Sequence, residues 1–241
     1  MTRLYSETPL AGRTTLILDA AEAHYAVRVL RLAPGHDVVL FDGRGGEYRA
    51  RIEAVERRRV ELVLGEYVAT DRLPALATTL IQGIASGARM DVVVQKATEL
   101  GVTRIVPVIT ERSQRRPGRD RRAQRLAHWQ RVALAACRQC GRNRLPGIAE
   151  PLPLADWLAA GRAPALRLLL SPAAAEPLRV PERPAAIELL IGPEGGFADH
   201  EAALARDNGF TEATLGPRIL RTETAAIAAL AALRALTGET A

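Results

Sequence analysis

The sequence is poor in the residues and patterns by which several classes of protein are recognised. Only two of its 241 residues are cysteine, Cys137 and Cys140, and they form a single C-x-x-C pair. A structural zinc site needs four ligands, and neither a second cysteine pair nor clustered histidines supply the other two. We therefore interpret the pair as free thiols on a helix and predict that the protein binds no metal.

Long apolar segments are also missing. No uninterrupted apolar run approaches the roughly 18 residues of a membrane-spanning helix, so we expect no membrane partner. Polar and charged side chains interrupt residues 1–10, whereas a secretory signal peptide carries a continuous apolar core. These two absences favour a cytoplasmic location.

Lysine is nearly absent, because Lys96 is the only one among the 33 basic residues. The others are arginines, and the formal net charge is +6 with an isoelectric point near 10.1. This balance favours a polyanionic partner such as nucleic acid. A GC-rich genome produces the same arginine bias, so clusters are more informative than the total. The densest cluster, residues 114–125, is typical of either a solvated loop or a set of phosphate contacts.

The amino-terminal part of the chain predicts a small β-barrel. Apolar and charged residues alternate in short segments such as residues 48–54, as they do in strands with one buried face. Tight turns separate these segments, and Asp42–Gly43 is a strong hairpin signal. The composition changes near residues 68–74, which we interpret as a linker. We therefore predict one domain over residues 1–71 and a second over residues 72–241.

The rest of the chain alternates strand and helix patterns, as an α/β fold does. Residues 76–81 and 105–109 are apolar enough for buried strands, and a helical pattern over residues 90–100 lies between them and stops at Gly101. Another apolar strand is predicted over residues 166–170. This order indicates a mostly parallel sheet that binds a ligand at the carboxyl ends of its strands.

Two glycine turns are the strongest candidates for the ligand site. The first reads IGPEGGF at residues 191–197, and the second reads LGPRILRTETAA at residues 215–226. Glycine lets backbone N–H and C=O groups approach a ligand closely. Thr222 is placed to cap the following helix, whose amino-terminal end favours a carboxylate or phosphate. The spacing matches neither the G-x-G-x-x-G dinucleotide fingerprint nor a phosphate-binding G-K-[ST] loop.

These two segments resemble the RsmE family, SPOUT-class methyltransferases that modify a uridine of 16S ribosomal RNA. Further matches follow the family's order along nearly the whole chain: RVLRLAPG at 28–35, LFDGRGGEYRARI at 40–52, RMDVVVQKATELGV at 89–102, ERSQ at 111–114 and RQCGRNRLP at 138–146. The resemblance implies a carboxyl-terminal α/β domain with a trefoil knot, preceded by a PUA-like RNA-binding barrel. It also implies the cofactor S-adenosyl-L-methionine (AdoMet) and, as partner, 16S ribosomal RNA or the small ribosomal subunit.

The resemblance assigns residues to the cofactor and to the reaction. The residues expected to contact AdoMet, through apolar side chains or exposed backbone, are Leu170, Ile191, Gly192, Pro193, Gly196, Leu215, Gly216, Ile219 and Leu220. The family's acceptor is uridine N3, whose proton must leave before or during attack. We predict Glu194 as the general base, with a pKa raised by partial burial, and Glu223 as the rival. Arg112 and Arg221 are predicted to stabilise negative charge on the uracil carbonyls, although each is equally suited to an ion pair with glutamate.

Candidate RNA contacts are spread over both predicted domains. They are Arg28, Arg31, Arg49, Arg51, Arg115, Arg116, Arg122 and Arg142. Taken singly, an exposed arginine of this kind is as typical of a solvated surface as of an RNA contact. We also expect a homodimer whose interface lies beside the knot and whose partner chain supplies Arg112. Two other functions stay open: a SPOUT enzyme acting on a different RNA atom, and a non-catalytic RNA-binding protein.

Overall fold

A computed structural model of the chain describes residues 1–56, 59–113, 118–160, 165–181 and 184–238, without the side chains of residues 119 and 120. The chain divides into two units. The first comprises Met1–Leu73 and Cys137–Leu145, and the second comprises Pro74–Ala136 and Pro146–Ala241. The sequence-based division after residue 71 differs from this one chiefly because it assigns Cys137–Leu145 to the second domain.

The first unit is built on one sheet. Its strands are β1 (Thr2–Tyr5), β2 (Thr15–Ile17), β3 (Asp37–Phe41), β4 (Glu47–Glu56) and β5 (Arg59–Val68), in the spatial order β1-β3-β4-β5-β2. β1 runs parallel to β3, and the other neighbours are antiparallel. Ala50 and Ile52 are buried between exposed Arg49 and Arg51. The predicted alternation along β4 is therefore confirmed there, because successive strand residues face opposite sides of a sheet.

A short helix with unusual backbone geometry precedes β3. Helix α1 (Ala20–His24) begins after Asp19, whose carboxylate accepts hydrogen bonds from backbone N–H groups of the first turn. The chain continues as a π-helix over Tyr25–Val29. Arg31 then adopts φ +54°, in the left-handed region that residues other than glycine seldom occupy. Such backbone features are costly and are found mostly at functional sites.

The second unit alternates strands and helices around a parallel sheet. In chain order its elements are β6 (Thr78–Gly83), α2 (Ala88–Glu99), β7 (Arg104–Ile109), α3 (Arg119–Cys140, whose last turn belongs to the first unit), β8 (Gly147–Ile148), β9 (Leu152–Pro153), α4 (Leu154–Ala159), β10 (Leu166–Leu170), β11 (Ile187–Ile191), α5 (Asp199–Asp207), β12 (Thr211–Ala213) and α6 (Thr222–Leu236). The strands follow the order β12-β10-β11-β6-β7-β8, with β9 also paired to β7, and all of these pairs are parallel. The predicted α/β class is confirmed.

Both faces of this parallel sheet are covered. Leu80 packs in a core with residues of α2, α3 and α6, whereas its neighbour Ile81 packs in a second core with residues of α4 and α5. Leu189 and Leu190 of β11 divide between the same two cores. A strand buried on both faces is mostly apolar, and this explains why β10 was recognisable in the sequence.

The trefoil knot implied by the family resemblance stays a prediction. Within the described ranges, no helix is both long enough and apolar enough to cross a membrane.

Candidate active site

A cavity of about 890 Å³ opens beside the carboxyl ends of β10 and β11 in the second unit. The end of β10 supplies Leu170, the loop after it supplies Ser171, and the first glycine turn supplies residues 191–197. The second turn, between β12 and α6, supplies Leu215 and Leu220. In open α/β sheets, ligands bind beyond the carboxyl ends of the strands, so this is the expected position for a site.

Thr222 connects the two glycine turns. Its hydroxyl donates to the Gly192 carbonyl at 2.6 Å and accepts from the side-chain amide of Gln82 at 2.9 Å. Gln82 is fully buried at the end of β6, and its amide also donates to the Gly83 carbonyl at 3.0 Å. The prediction that Thr222 caps α6 is wrong, because Thr222 lies inside the helix and Arg221 is the N-cap. Its hydroxyl instead fixes the second turn against the first.

Backbone geometry explains two of the glycines, one by close approach and one by its positive φ. A Cβ at Gly83 would lie 2.5 Å from Pro193, nearer than real Cβ atoms come to their neighbours, so glycine lets the first turn cross the end of β6. Gly196 adopts φ +66°, and its N–H donates to the Pro193 carbonyl at 2.9 Å. This left-handed conformation is accessible to glycine at little cost. The first turn is therefore held rigidly at the cavity wall.

Glu194 is held by the loop that leads into α2. Its Oε1 accepts hydrogen bonds from the Ser86 N–H at 2.9 Å, the Ser86 hydroxyl at 2.6 Å and Arg89 Nη1 at 2.8 Å. Burial favours the neutral carboxyl, but these donors outweigh burial and lower the pKa of Glu194 to about 2. The prediction that the pKa of Glu194 is raised is therefore wrong. A carboxylate of such low basicity is a poor proton acceptor at neutral pH.

Arg89 lies between two glutamates of the cavity wall. Besides its bond to Glu194, its Nε lies 3.9 Å from Glu223 Oε1. The two glutamate side chains are only 17% and 16% exposed, against 43% for Arg89. The other oxygen, Oε2, of each glutamate is buried without a hydrogen-bond partner among the residues that the structure describes. The guanidinium group of Arg89 is therefore within ion-pair distance of both carboxylates.

Arginines form the rim of the cavity. Arg112, Arg218 and Arg221 line it and are exposed. Arg112 Nη1 donates to the Gly195 carbonyl at 3.2 Å, whereas the side chains of Arg218 and Arg221 have no polar partner within the described ranges. Arg206, by contrast, is paired with Glu212 at 2.5 Å. Among the residues that the structure describes, no carboxylate pairs with these three rim arginines.

Comparison with known proteins identifies the family. A model described as an RNA methyltransferase domain matches residues 72–234, and one described as an RNA methyltransferase PUA domain matches residues 18–65. The ribosomal RNA small subunit methyltransferase E of Synechocystis is 35% identical over 228 residues, which cover 92% of this chain and 73% of that protein. This chain belongs to the RsmE family.

Solved structures of similar proteins have the same fold. The RsmE of Neisseria gonorrhoeae, bound to S-adenosyl methionine, is 39% identical with a TM-score of 0.91 over 98% of both chains. A methyltransferase of Legionella pneumophila, in complex with the same cofactor, is 37% identical with a TM-score of 0.92 over 97% of both chains. The predicted SPOUT-type α/β domain with an amino-terminal PUA-like module is confirmed.

Most residues that the RsmE resemblance assigned to the cofactor line the cavity. These are Leu170, Ile191, Gly192, Pro193, Gly196, Leu215, Ile219 and Leu220. Gly216 does not line the cavity itself, although Leu215 beside it does. Ile219 is 86% exposed and so belongs to the rim rather than to an apolar wall. The part that each residue plays in binding stays a prediction.

The four residues predicted to be catalytic also meet at this RsmE cavity. Glu194, Arg112, Arg221 and Glu223 all line it. Arg112 lines the cavity of its own chain, and its supply by a partner chain stays a prediction. Sequence reasoning missed Arg89, which lies in the matched RMD segment but was given no role. It also missed Ser86 and Gln82, which no motif singled out.

Four of the arginines predicted to contact RNA lie in the first unit, and they differ in whether a carboxylate already binds them. Arg28, Arg31 and Arg49 are exposed. Arg51 is exposed too, but its guanidinium donates to both oxygens of Asp37, at 2.8 and 3.2 Å. A paired arginine must give up its partner before it binds a phosphate. Arg28, Arg31 and Arg49, which pair with no carboxylate among the residues described, are therefore the better candidates.

The other arginines predicted to contact RNA are Arg115, Arg116, Arg122 and Arg142. Arg142 is only 2% exposed, so the prediction that it contacts RNA is wrong. It lies in a segment whose next residue, Asn143, is also fully buried and donates to Glu47 Oε2 at 3.1 Å. Arg122 is half-buried on α3. Arg115 and Arg116 lie outside the described residues.

The two cysteines are free and belong to the last turn of α3. Cys137 is buried, and burial raises the pKa of its thiol to about 12. Such a thiol is not ionised at neutral pH and is therefore unreactive. Cys140 is half-buried. Within the described ranges, no three metal-binding side chains are grouped together.

Proposed function

We propose that this RsmE-family protein transfers a methyl group from AdoMet to N3 of a uridine in 16S ribosomal RNA. The observation that carries the proposal is the cavity of the second unit, where two glycine turns meet a rim of exposed arginines. The names of the relatives support an RNA of the small subunit as substrate. Relatives of the same fold with S-adenosyl methionine bound support the cofactor.

The cavity fits AdoMet in size and chemistry. Its volume of about 890 Å³ lies within the range of about 300–1,000 Å³ that is usual for ligand pockets. Leu170, Leu215 and Leu220 offer apolar surface to the adenosine, and the backbone of Gly192 and Gly196 offers polar groups at close range. When bound, AdoMet supplies an electrophilic methyl group. The two turns then hold the donor in line with the acceptor, which is mainly a positioning task.

The arginine rim favours ionisation of the acceptor. Uridine N3 carries a proton, and its loss spreads negative charge over the uracil carbonyls. We assign Arg112 and Arg221 to stabilising that charge, since both are exposed at the cavity and neither pairs with a carboxylate of the described part of the chain. Glu194 is unsuited to accept the proton because its pKa is about 2. We infer that the proton leaves to water, with the two guanidinium groups providing the driving force.

The first unit supplies a second set of contacts to the RNA. Arg28 and Arg31 flank the end of the π-helix, and Arg49 lies on the exposed face of β4. Arginine contacts to phosphates supply affinity without sequence selection. Because N3 lies on the Watson–Crick edge, the uridine must be unpaired or flipped out when it reacts. Anchoring neighbouring nucleotides helps to hold it in that state.

We also propose that the protein is a homodimer and that it acts in the cytoplasm. The small side chains Ala225, Ala226 and Ala229 of α6 are buried in the core of their own chain, so they are not available to a partner. Exposed apolar residues of the second unit, Ile219 and Leu236, are the better candidates for an interface. Light scattering that finds an active monomer at assay concentrations contradicts the dimer.

The proposed reaction is tested by mapping its product. Purified protein is incubated with AdoMet and 16S ribosomal RNA or small subunits from cells lacking the gene, and the nucleosides are analysed by mass spectrometry. We expect 3-methyluridine at one position. Arg221→Gln is expected to lower the rate about 100-fold, whereas Arg206→Gln, which removes a paired arginine from the same cavity, has a much smaller effect. Methylation of another atom, or failure to bind AdoMet, overturns the proposal.

A further inference from the structure

The cavity separates its charges into a basic rim and an acidic wall. The rim arginines Arg112, Arg218 and Arg221 are exposed, so solvent and salt screen their charge. The wall carries Glu194, Arg89 and Glu223, which we call the acidic wall cluster; its two carboxylates are largely buried and Arg89 is half-buried. Two carboxylates and one guanidinium give this cluster a formal charge of −1.

Both carboxylates of the acidic wall cluster lie beside groups that carry full or partial positive charge. Glu194 is held in its ionised form by three donors from Ser86 and Arg89. Glu223 lies in the first turn of α6, where the helix dipole favours an anion. Each carboxylate directs Oε1 towards Arg89 and keeps a second buried oxygen at the cavity wall. Charges buried in this way interact strongly with a ligand, because little water screens them.

We propose that the acidic wall cluster makes the cavity select the cationic methyl donor over the neutral product of the reaction. This inference rests on the proposed function, namely that the cavity binds AdoMet. In the transfer, N3 forms a bond to the methyl carbon and its proton leaves to water. The carbon–sulfur bond breaks and its electron pair stays on sulfur. The sulfonium, with charge +1, therefore becomes an uncharged thioether, S-adenosylhomocysteine.

The cluster acts on the one feature that distinguishes the two forms of the cofactor. Donor and product share the adenosine and amino-acid parts, so contacts with those parts bind them equally. A nearby negative charge stabilises the sulfonium and gives no comparable gain to the thioether. The product is then bound less tightly than the donor and leaves more readily. If the wall carried arginines instead of glutamates, the cavity would bind the uncharged product more tightly than the cationic donor.

The test measures binding rather than turnover. Calorimetry gives the dissociation constants of AdoMet, of S-adenosylhomocysteine and of sinefungin, in which a carbon bearing a protonated amine replaces the sulfonium. We expect Glu223→Gln and Glu194→Gln to reduce the preference for both cationic ligands over S-adenosylhomocysteine by about 5- to 10-fold. Arg89→Gln makes the cluster more negative and is expected to increase the same preference. Loss of packing is not expected to lower the preference in the glutamate variants and raise it in the Arg89 variant.

Asp199→Asn is the matched control, because Asp199 is an exposed carboxylate lining the same cavity and its charge is screened. We expect this variant to prefer the cationic ligands over S-adenosylhomocysteine by the same ratio as the wild type. The inference is wrong if both glutamate variants keep the wild-type ratio, or if all three ligands weaken equally in them. Retained affinity for S-adenosylhomocysteine shows that a variant is folded. If no adenosine ligand binds the wild type, the proposed function itself fails.

Discussion

At the scale of single residues, the site depends on polar groups that find their partners far along the chain. Ser86 precedes Glu194 by 108 residues and Gln82 precedes Thr222 by 140, yet each pair is in direct hydrogen-bond contact. Both pairs fasten a glycine turn to the sheet end. Buried polar groups are costly unless they are satisfied, so each bond specifies one arrangement of the turns.

The stabilising effect of ionised Glu194 is expected to depend on pH. Its pKa falls from 4.5 to about 2 in the folded chain, so the unfolded chain binds more protons between these values. The stabilisation is complete above about pH 4.5 and is lost as the pH falls towards 2. Glu194→Gln is expected to cost about 1–3 kcal/mol at pH 7, and less as the pH is lowered.

Urea unfolding at a series of pH values between 3.5 and 7 measures this difference. Glu176→Gln is the control, because Glu176 is an exposed glutamate of the same unit. We expect it to change the free energy of unfolding by less than about 0.5 kcal/mol. A cost for Glu194→Gln that does not vary with pH would show that the carboxylate is not held in its ionised form.

At the scale of elements, a buried arginine joins the last helix to the end of α2. Arg234 of α6 is 7% exposed. Its guanidinium donates to the carbonyls of Leu100 at 3.0 Å and Gly101 at 3.2 Å, and also to Thr78 Oγ1 at 3.2 Å. The carbonyls at a helix carboxyl end have no partners within the helix and carry partial negative charge. Arg234 therefore satisfies them and fixes α6 against α2 and β6.

Replacing Arg234 is expected to destabilise the second unit strongly. Arg234→Met keeps most of the volume but leaves the α2 carbonyls without donors, and we expect a loss of about 2–4 kcal/mol. Arg234→Lys is expected to recover only part of this loss, because an ammonium group does not span the separate acceptors that the guanidinium reaches. Thermal and urea unfolding measure both variants.

The matched control for Arg234 is Arg131→Met on α3. Arg131 is exposed, and within the described residues its side chain donates only to the Ala127 carbonyl of its own helix, at 3.3 Å. We expect a change within about 0.5 kcal/mol. If Arg234→Met is no more destabilising than this control, the carbonyls at the end of α2 are satisfied by water and Arg234 does not join the helices.

At the scale of the whole molecule, the elements that local patterns define were predictable and the long-range ones were not. Strand β10 lies at residues 166–170 as predicted, because a buried parallel strand is mostly apolar and four of its five residues are leucine. The two-residue strand Gly147–Ile148 is too short to show any period. The burial of Arg142 and the low pKa of Glu194 depend on partners brought by the fold, so residue type alone predicted neither correctly.

The two activities that the chain combines, holding RNA and holding AdoMet, are expected to separate by substitution. Arg28 and Arg31 are exposed in the first unit, whereas the cavity lies in the second. Arg28→Gln combined with Arg31→Gln is expected to weaken RNA binding and leave AdoMet affinity unchanged. Each lost phosphate contact reduces the slope of log K against log salt by about 0.7 for single-stranded RNA, so we expect a reduction of about 1.4.

The control for this pair is Arg13→Gln combined with Arg59→Gln. Both are exposed arginines of the first unit that already have partners, the Pro9 carbonyl and the Glu61 carboxylate. Binding of a 16S ribosomal RNA fragment is measured over a range of salt concentrations, and AdoMet binding is measured by calorimetry. An equal effect of the two double variants would show that net charge, rather than the π-helix and the left-handed Arg31, determines how the first unit binds RNA. A salt slope that changes only in the Arg28 and Arg31 variant, by contrast, locates phosphate contacts at that turn.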